Sequence, residues 1–214
     1  MPKRKTDCDK LSITVIKLGG SLLGSDGLPK WLEEIRSFAH RQNVIIVPGG
    51  GEYANCIREQ QAHLNYSDRV AHRQALLSMC QTGYLLKEYC DDLQVVEASG
   101  KLSPFLDQGL PLLWLPFELL ENSDHEKQNW DHTSDSLSLW LANQISADNL
   151  VFAKHCQYNP DFKLIDYIKN GVLDNGIQSL IEYNKCKIYI FPIQEFTNFS
   201  KPDEWQQYLI NTTH

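Results

Sequence analysis

The chain has 214 residues, of which 42% are hydrophobic, 10% aromatic and 22% charged, an ordinary globular composition too apolar for a disordered chain. A mean hydropathy of -0.38, with no apolar run near 18 residues, gives no sign of a transmembrane helix. The net charge of -7 argues against nucleic acid, whose binding needs clustered Lys and Arg, but leaves room for a small anionic ligand held by a few cations and backbone donors.

The basic start MPKRKTDCDK leads into no apolar signal core, so a cytoplasmic protein is expected. Its cysteines (Cys8, Cys56, Cys80, Cys90, Cys156 and Cys186) then read as reduced thiols. Residues 1–10 are polar and expected to be flexible, ahead of one domain spanning 11–214.

ITVIKLGG reads as a buried β-branched strand ending in glycines. From Pro29 to Arg41, apolar residues at Trp31, Leu32, Ile35, Phe38 and Ala39 recur with a helical period. NVIIVPGGG is a second strand ending in glycines. Helices are expected from Glu52 to His63 and from Asp68 to Tyr89. QVVEAS and PLLWLPFELL are short strand-like runs, and Asn122 to Asn129 is a polar loop, either a lid or solvated surface. Thr133 or Ser134 can cap a helix through Leu137, Leu139, Leu141 and Ile145, after which NLVFAK is a buried strand. A weak region from Leu164 to Tyr183 precedes a last strand, KIYIF, and the tail from Gln194 is polar and without a motif. Short, continuously apolar strands alternating with helices indicate an α/β domain with a mainly parallel sheet covered on both faces. Ligands in such sheets bind at the carboxyl ends of the strands.

Two glycine clusters fall at such ends. Lys17-Leu18-Gly19-Gly20-Ser21 follows the first strand, where bare backbone N–H groups and a lysine suit an oxyanion. The lysine precedes the glycines, unlike a Walker A loop, and GxGxxG is absent, so neither of those nucleotide folds fits. Pro48-Gly49-Gly50-Gly51 repeats the arrangement after the second strand. Two cradles facing one cleft suit transfer between a donor phosphate and an acceptor oxyanion. The third constellation is Trp130-Asp131-His132-Thr133-Ser134-Asp135-Ser136 at a helix start. Asp135 there serves the helix dipole, and facing two anion cradles it has a second use, orienting Lys17 or helping to hold Mg²⁺.

KLGGS at 17–21, PGGG at 48–51 and TSDS at 133–136, followed by ANQISADNLVFAK, resemble the amino acid kinase superfamily in order and spacing over residues 12–160. That group includes acetylglutamate kinase, aspartokinase, uridylate kinase and isopentenyl phosphate kinase. The resemblance implies a three-layer αβα sandwich and ATP-dependent phosphoryl transfer, with Mg²⁺, to a phosphate or carboxylate of a small molecule, in a homo-oligomer. Lys17 would contact the transferred group, Gly19, Gly20 and Ser21 the nucleotide phosphates, and Gly49, Gly50 and Gly51 the acceptor, with Asp135 as organising aspartate. Short members of a narrower branch, which phosphorylate an aminomethylfuranmethanol phosphate in C1-carrier biosynthesis, look similar through the helix DRVAHRQALLSMCQTGYLLKE, the segment WDHTSDSLSLWLA and NGVLDNGI at 170–177. On that resemblance Asp68, His72, Asp131 and Thr133 would lie near the acceptor, whose ammonium group would suit Asp68 and Asp131.

The chain departs from the superfamily pattern after the strand LVFAK. Many members have Asp-x-x-Gly there, whereas this chain has Lys154-His155-Cys156-Gln157-Tyr158. Lys154 is then a candidate second phosphate-facing cation and Tyr158 a candidate contact to the nucleotide base. The alternative function is a non-catalytic nucleotide or molybdate-like oxyanion binding protein on the same fold.

Overall fold

Six short apolar runs line up as one sheet because each must bury both of its faces. The computed structural model describes residues 11–122 and 128–212. The strands are β1 (Ile13–Leu18), β2 (Asn43–Pro48), β3 (Gln94–Val96), β4 (Leu112–Trp114), β5 (Asn149–Lys154) and β6 (Lys187–Pro192). They pair in parallel in the order β3-β4-β2-β1-β5-β6. The helices are α1 (Gly27–Ala39), α2 (Gly51–Leu64), α3 (Asp68–Tyr89), α4 (Glu118–Asn122), α5 (Ser134–Gln144), α6 (Leu164–Lys169) and α7 (Ile177–Leu180). The result is the expected α/β sandwich of helices on both faces of a parallel sheet.

Strand alternation decides which side chain meets which layer. Ile13 and Val15 of β1, with Leu150 and Phe152 of β5, share one core with Leu139 and Leu141 of α5 and Tyr167 and Ile168 of α6. Ile16 and Leu18, with Val151 and Ala153, share the other with Trp31, Ile35 and Phe38 of α1. Lys17 and Lys154 continue the first series by parity, so both project to the α5 side. β1 sits between β2 and β5, with Leu18 opposite both Pro48 and Ala153. The chain leaves the sheet in opposite directions on the two sides of β1, the usual place for a ligand crevice.

The tail does not follow the sequence reading. It folds into 3-10 turns at Ile193–Asn198 and Pro202–Tyr208 that bury Phe199, Trp205 and Tyr208 over the α1 face. Irregular turns carry no period, so the apolar residues among Gln, Asn and Glu leave no helical or strand pattern. Residues 1–10, including Cys8, and the centre of the 122–129 loop lie outside the described residues. Cys56, Cys80, Cys90, Cys156 and Cys186 are unpaired. Among the described residues no helix is long and apolar enough to cross a membrane.

Candidate active site

Two lysines and one aspartate meet at the carboxyl ends of β1 and β5. Lys17 Nζ lies 2.9 Å from Asp135 Oδ1, and Lys154 Nζ donates to Asp135 Oδ2 at 2.6 Å. Asp135 is 4% exposed and Lys17 6%, so the pair is held out of water. Burial by itself would raise the Asp135 carboxyl, but Lys154 and Lys17 outweigh it and hold it down to about 2. Burial pushes Lys154 down to about 8, with Asp135 opposing the drop and Lys17 adding to it. Both oxygens of Asp135 are therefore engaged by lysines. The group is placed to orient two cations.

The two glycine loops touch each other. A Cβ on Gly20 would lie 2.1 Å from Gly51 Cα, and one on Gly49 would lie 2.8 Å from Gly20 N. Gly49 N–H donates to Leu18 O at 2.8 Å, which ties the end of β2 to the end of β1. Gly51 has φ +58, a left-handed conformation that suits glycine. The bare backbone at 20 and 49 is demanded first by the approach of one loop to the other. That approach brings the turns after β1 and β2 to one mouth above Lys17.

The start of α5 is built differently from the sequence expectation. Thr133 is the N-cap residue, but neither its side chain nor that of Ser134 caps the helix. Asp174, from the turn between α6 and α7, does so instead. Its Oδ2 accepts from Thr133 N (3.0 Å), Thr133 Oγ1 (2.7 Å) and Ser136 N (3.1 Å), with Ser136 Oγ 3.2 Å away. Burial raises the Asp174 carboxyl and Asp135 adds to the rise, against the pull of those hydrogen bonds. No local motif marks a cap supplied 41 residues downstream, and chain spacing carries no signal for it.

These groups line a cleft of about 720 Å³, within the range of small-molecule sites. Of the residues singled out in the sequence, Lys17, Gly20, Ser21, Gly49, Gly50, Gly51, His72, Asp131, Thr133, Asp135 and Lys154 line it. Gly19 stands just behind, with Lys17 Nζ 3.9 Å from the position of its missing Cβ. Tyr158 and Asp68 also fall outside the lining. Tyr158 stacks edge-on against Tyr208 and donates to Leu209 O at 3.1 Å, so its hydroxyl is tied to the tail. Asp68 is exposed at the start of α3 and accepts from Gln61 Nε2 at 2.7 Å.

His72 is buried, and burial lowers its pKa; the Asn129 carbonyl opposes the drop and His132 adds to it, so the ring is neutral near pH 7. Two cations of the lining, Arg58 and Lys169, were not singled out beforehand. Arg58 lies with its guanidinium 4.4 Å from the Trp130 ring centroid. Trp130 Nε1 donates to Gln61 Oε1 at 2.5 Å, which fixes the ring over α2. Lys169 lies at the end of α6. Among the described residues no group of three His, Cys, Asp or Glu side chains is placed to hold a metal ion.

Comparison with known proteins agrees with this fold. The sequence profile of the amino acid kinase family matches residues 12–170. The [5-(aminomethyl)furan-3-yl]methyl phosphate kinase of Methanocaldococcus jannaschii is 25% identical over 202 residues, covering 94% of this chain and 88% of that protein. Among solved structures, uridylate kinase from Archaeoglobus fulgidus superimposes with a TM-score of 0.66 at 20% identity, over 88% of this chain and 95% of that one. The UMP kinase of Bacillus anthracis gives a TM-score of 0.70 at 16% identity, over 96% and 98%.

Proposed function

The chain belongs to the amino acid kinase family, and from that premise we propose that it transfers the γ-phosphoryl group of ATP to an ionised oxygen of a small molecule. The acceptor favoured is a phosphate monoester that carries an ammonium group, the chemistry named in the M. jannaschii relative. The observation that carries the reading is the buried Lys17–Asp135–Lys154 centre at the mouth shared by the two glycine loops.

Phosphoryl transfer asks a protein for alignment and for neutralisation of charge on the moving group. Lys17 and Lys154 supply two cations against one carboxylate, so the centre has a net positive charge before the phosphates arrive. Asp135 fixes their direction. Held at about 2, it stays ionised and does not take up a proton during turnover. A phosphate or carboxylate acceptor needs no base, because it is already an anion. Gly19, Gly20 and Ser21 face the nucleotide phosphates in this reading, and Gly49, Gly50 and Gly51 face the acceptor. His72, Asp131 and Thr133 line the acceptor end, where Arg58 adds a cation for a phosphate and Asp131 an anion for an ammonium group.

Mg²⁺, when bound with the nucleotide, neutralises phosphate charge. The donor set fits an ion held chiefly by phosphate oxygens and water, with Glu52 and Asp131 among the carboxylates that line the cleft. A homo-oligomer in the cytoplasm belongs to the same reading. α3 leaves Val70, Leu77 and Tyr84 exposed at seven-residue intervals, an apolar stripe of the kind that meets another helix.

The test has two stages. Thermal unfolding is followed with MgATP, MgADP and molybdate, for the native chain and for Lys17→Ala. Ligand at 100 times its Kd adds about 2.7 kcal/mol. Acceptor-dependent ADP release is then measured with [5-(aminomethyl)furan-3-yl]methyl phosphate, UMP and simple carboxylates. A MgATP shift lost in Lys17→Ala, with turnover on the furan phosphate, is the expected result. A molybdate shift without a nucleotide shift overturns the kinase reading in favour of an oxyanion-binding protein.

A further inference from the structure

We propose that Asp174 is a positioning residue for the two-lysine centre: it caps α5 from outside the helix and so sets where Asp135 holds Lys17 and Lys154. The inference deepens the kinase reading and rests on it for its functional meaning, though its geometry is independent of the reaction.

The first turn of a helix leaves its N–H groups without intrahelical partners. At α5 no side chain of the segment itself answers them. Asp174 Oδ2 takes the N–H groups of Thr133 and Ser136 together with the Thr133 hydroxyl. Asp135 lies between those two anchored residues. Its backbone is thus pinned on both sides by one carboxylate oxygen, and its side chain reaches Lys17 and Lys154 from that fixed turn.

The neighbours of Asp174 reinforce the clamp. Gly176 N–H donates to Asp131 O at 2.7 Å, and a Cβ on Gly176 would lie 2.5 Å from that same oxygen. Asn175 Nδ2 donates to Asp131 Oδ1 at 3.3 Å. His132 bridges Asn129 and Ser179 through its two ring nitrogens, at 3.0 and 3.3 Å. The turn after α6 thereby grips the 129–136 segment at several points, and Asp174 is the point that holds the turn bearing Asp135.

A carboxylate is not needed for the cap alone. Asp174 Oδ1 is buried and has no hydrogen-bond partner. An asparagine would keep the accepting oxygen and place its amide on that unpartnered side. An alanine would leave the α5 N–H groups and the Thr133 hydroxyl unanswered. The two substitutions therefore separate the cap from mere occupancy of the position.

The readout is the titration of Lys154, which needs no turnover. Its amine is faced by Asp135 from α5 and by Lys17 from β1. The further charged groups around Asp174 are Asp131 and His132 before α5 and Lys169 at the end of α6. NMR of the full chain carrying ¹³C at lysine Cε gives the Lys154 midpoint, assigned with Lys154→Arg. The native midpoint is expected near 8, where burial pushes the amine. If Asp174 sets Asp135, Asp174→Ala moves the midpoint lower, because the amine loses the carboxylate that supports its proton, and Asp174→Asn restores it. Phe38→Leu, in the opposite core, supplies a destabilised control whose midpoint stays at the native value.

In the kinase assay Asp174→Ala loses kcat by about 10²-fold, the cost of a misplacement near 1 Å, with the nucleotide KM within about threefold. A Lys154 midpoint that is unchanged in Asp174→Ala, or that moves equally in Phe38→Leu, overturns the proposal. A shifted midpoint in a chain that phosphorylates no acceptor would instead sink the kinase reading and leave the clamp standing.

Discussion

Lys154 makes opposite demands on stability and on chemistry. Burial pushes its amine down to about 8 in the folded chain from an ordinary lysine value of 10.5. Between those values the unfolded chain binds the proton and the folded one releases it, so the contribution of Lys154 to stability rises with pH across that window. Below about 8 both states are protonated, and the folded state carries the full desolvation cost. Phosphate neutralisation needs the charged amine, so kcat/KM, which reports the free chain, should fall as pH rises through about 8, with no matching loss of folded structure. Paired pH profiles of kcat/KM and of thermal unfolding test this. In Lys154→Arg the alkaline limb should move well above 8, because a guanidinium does not titrate there; a limb that stays put would assign it to another group. Lys17 contributes the other cation, and Lys17→Ala should lower kcat by on the order of 10²–10³-fold, the scale for one preorganised charge stabiliser. Lys17→Ala turnover at the native level would end its proposed role.

The glycine loops act as elements, each shaping the other. The strand–glycine–helix pattern after β1 and after β2 was legible because apolar runs ending in Gly-Gly have few other uses. The sequence did not reveal that the loops would be in backbone contact, since residues 20 and 49–51 meet only through sheet pairing. Gly20→Ala puts a methyl 2.1 Å from Gly51 Cα, a clash with backbone that no rotamer change relieves. Separating the loops should lower the melting temperature by several degrees and cut turnover more than tenfold, on the scale of ~1–3 kcal/mol for overpacking. Gly100, with nothing within 4 Å of its missing Cβ, is the control, and Gly100→Ala should stay within about 0.5 kcal/mol of the native chain. Equal stability of the two variants would mean that the loops part freely. The lysine pair was half legible by the same logic. Strand parity puts residues 17 and 154 on one face, but the helix that brings Asp135 over them is set by Asp174, which no periodicity reports.

Over the whole molecule, the two faces of the sheet have divided their tasks. The α5 face ends in charge, with Lys17, Lys154 and Asp135 at its rim, while the α1 face is sealed by aromatic rings. Trp205 packs 5.2 Å from Phe38, 5.1 Å from Phe199 and 5.5 Å from Phe191, centroid to centroid, and its Nε1 donates to Phe199 O at 2.9 Å. Trp31 Nε1 donates to Ile193 O at 2.8 Å, so α1 also holds the tail by its backbone. None of this was legible in the tail, because residues that reach the core from 3-10 turns obey no period, and their aromatic partners lie far away in the chain. The division predicts that stability and catalysis separate. Trp205→Ala removes a fully packed ring and should cost about 3–5 kcal/mol. For a chain of this size that is a fall of roughly 6–20 °C in melting temperature. The Lys17–Asp135–Lys154 centre stands on the other face of the same strands, so nucleotide and acceptor KM should stay within about twofold at a temperature where the variant is folded. Calorimetry together with steady-state kinetics at low temperature decides it. A Trp205→Ala chain that melts normally would show the tail to be dispensable, and one that stays folded but loses acceptor affinity would show that the aromatic layer shapes the cleft through the sheet.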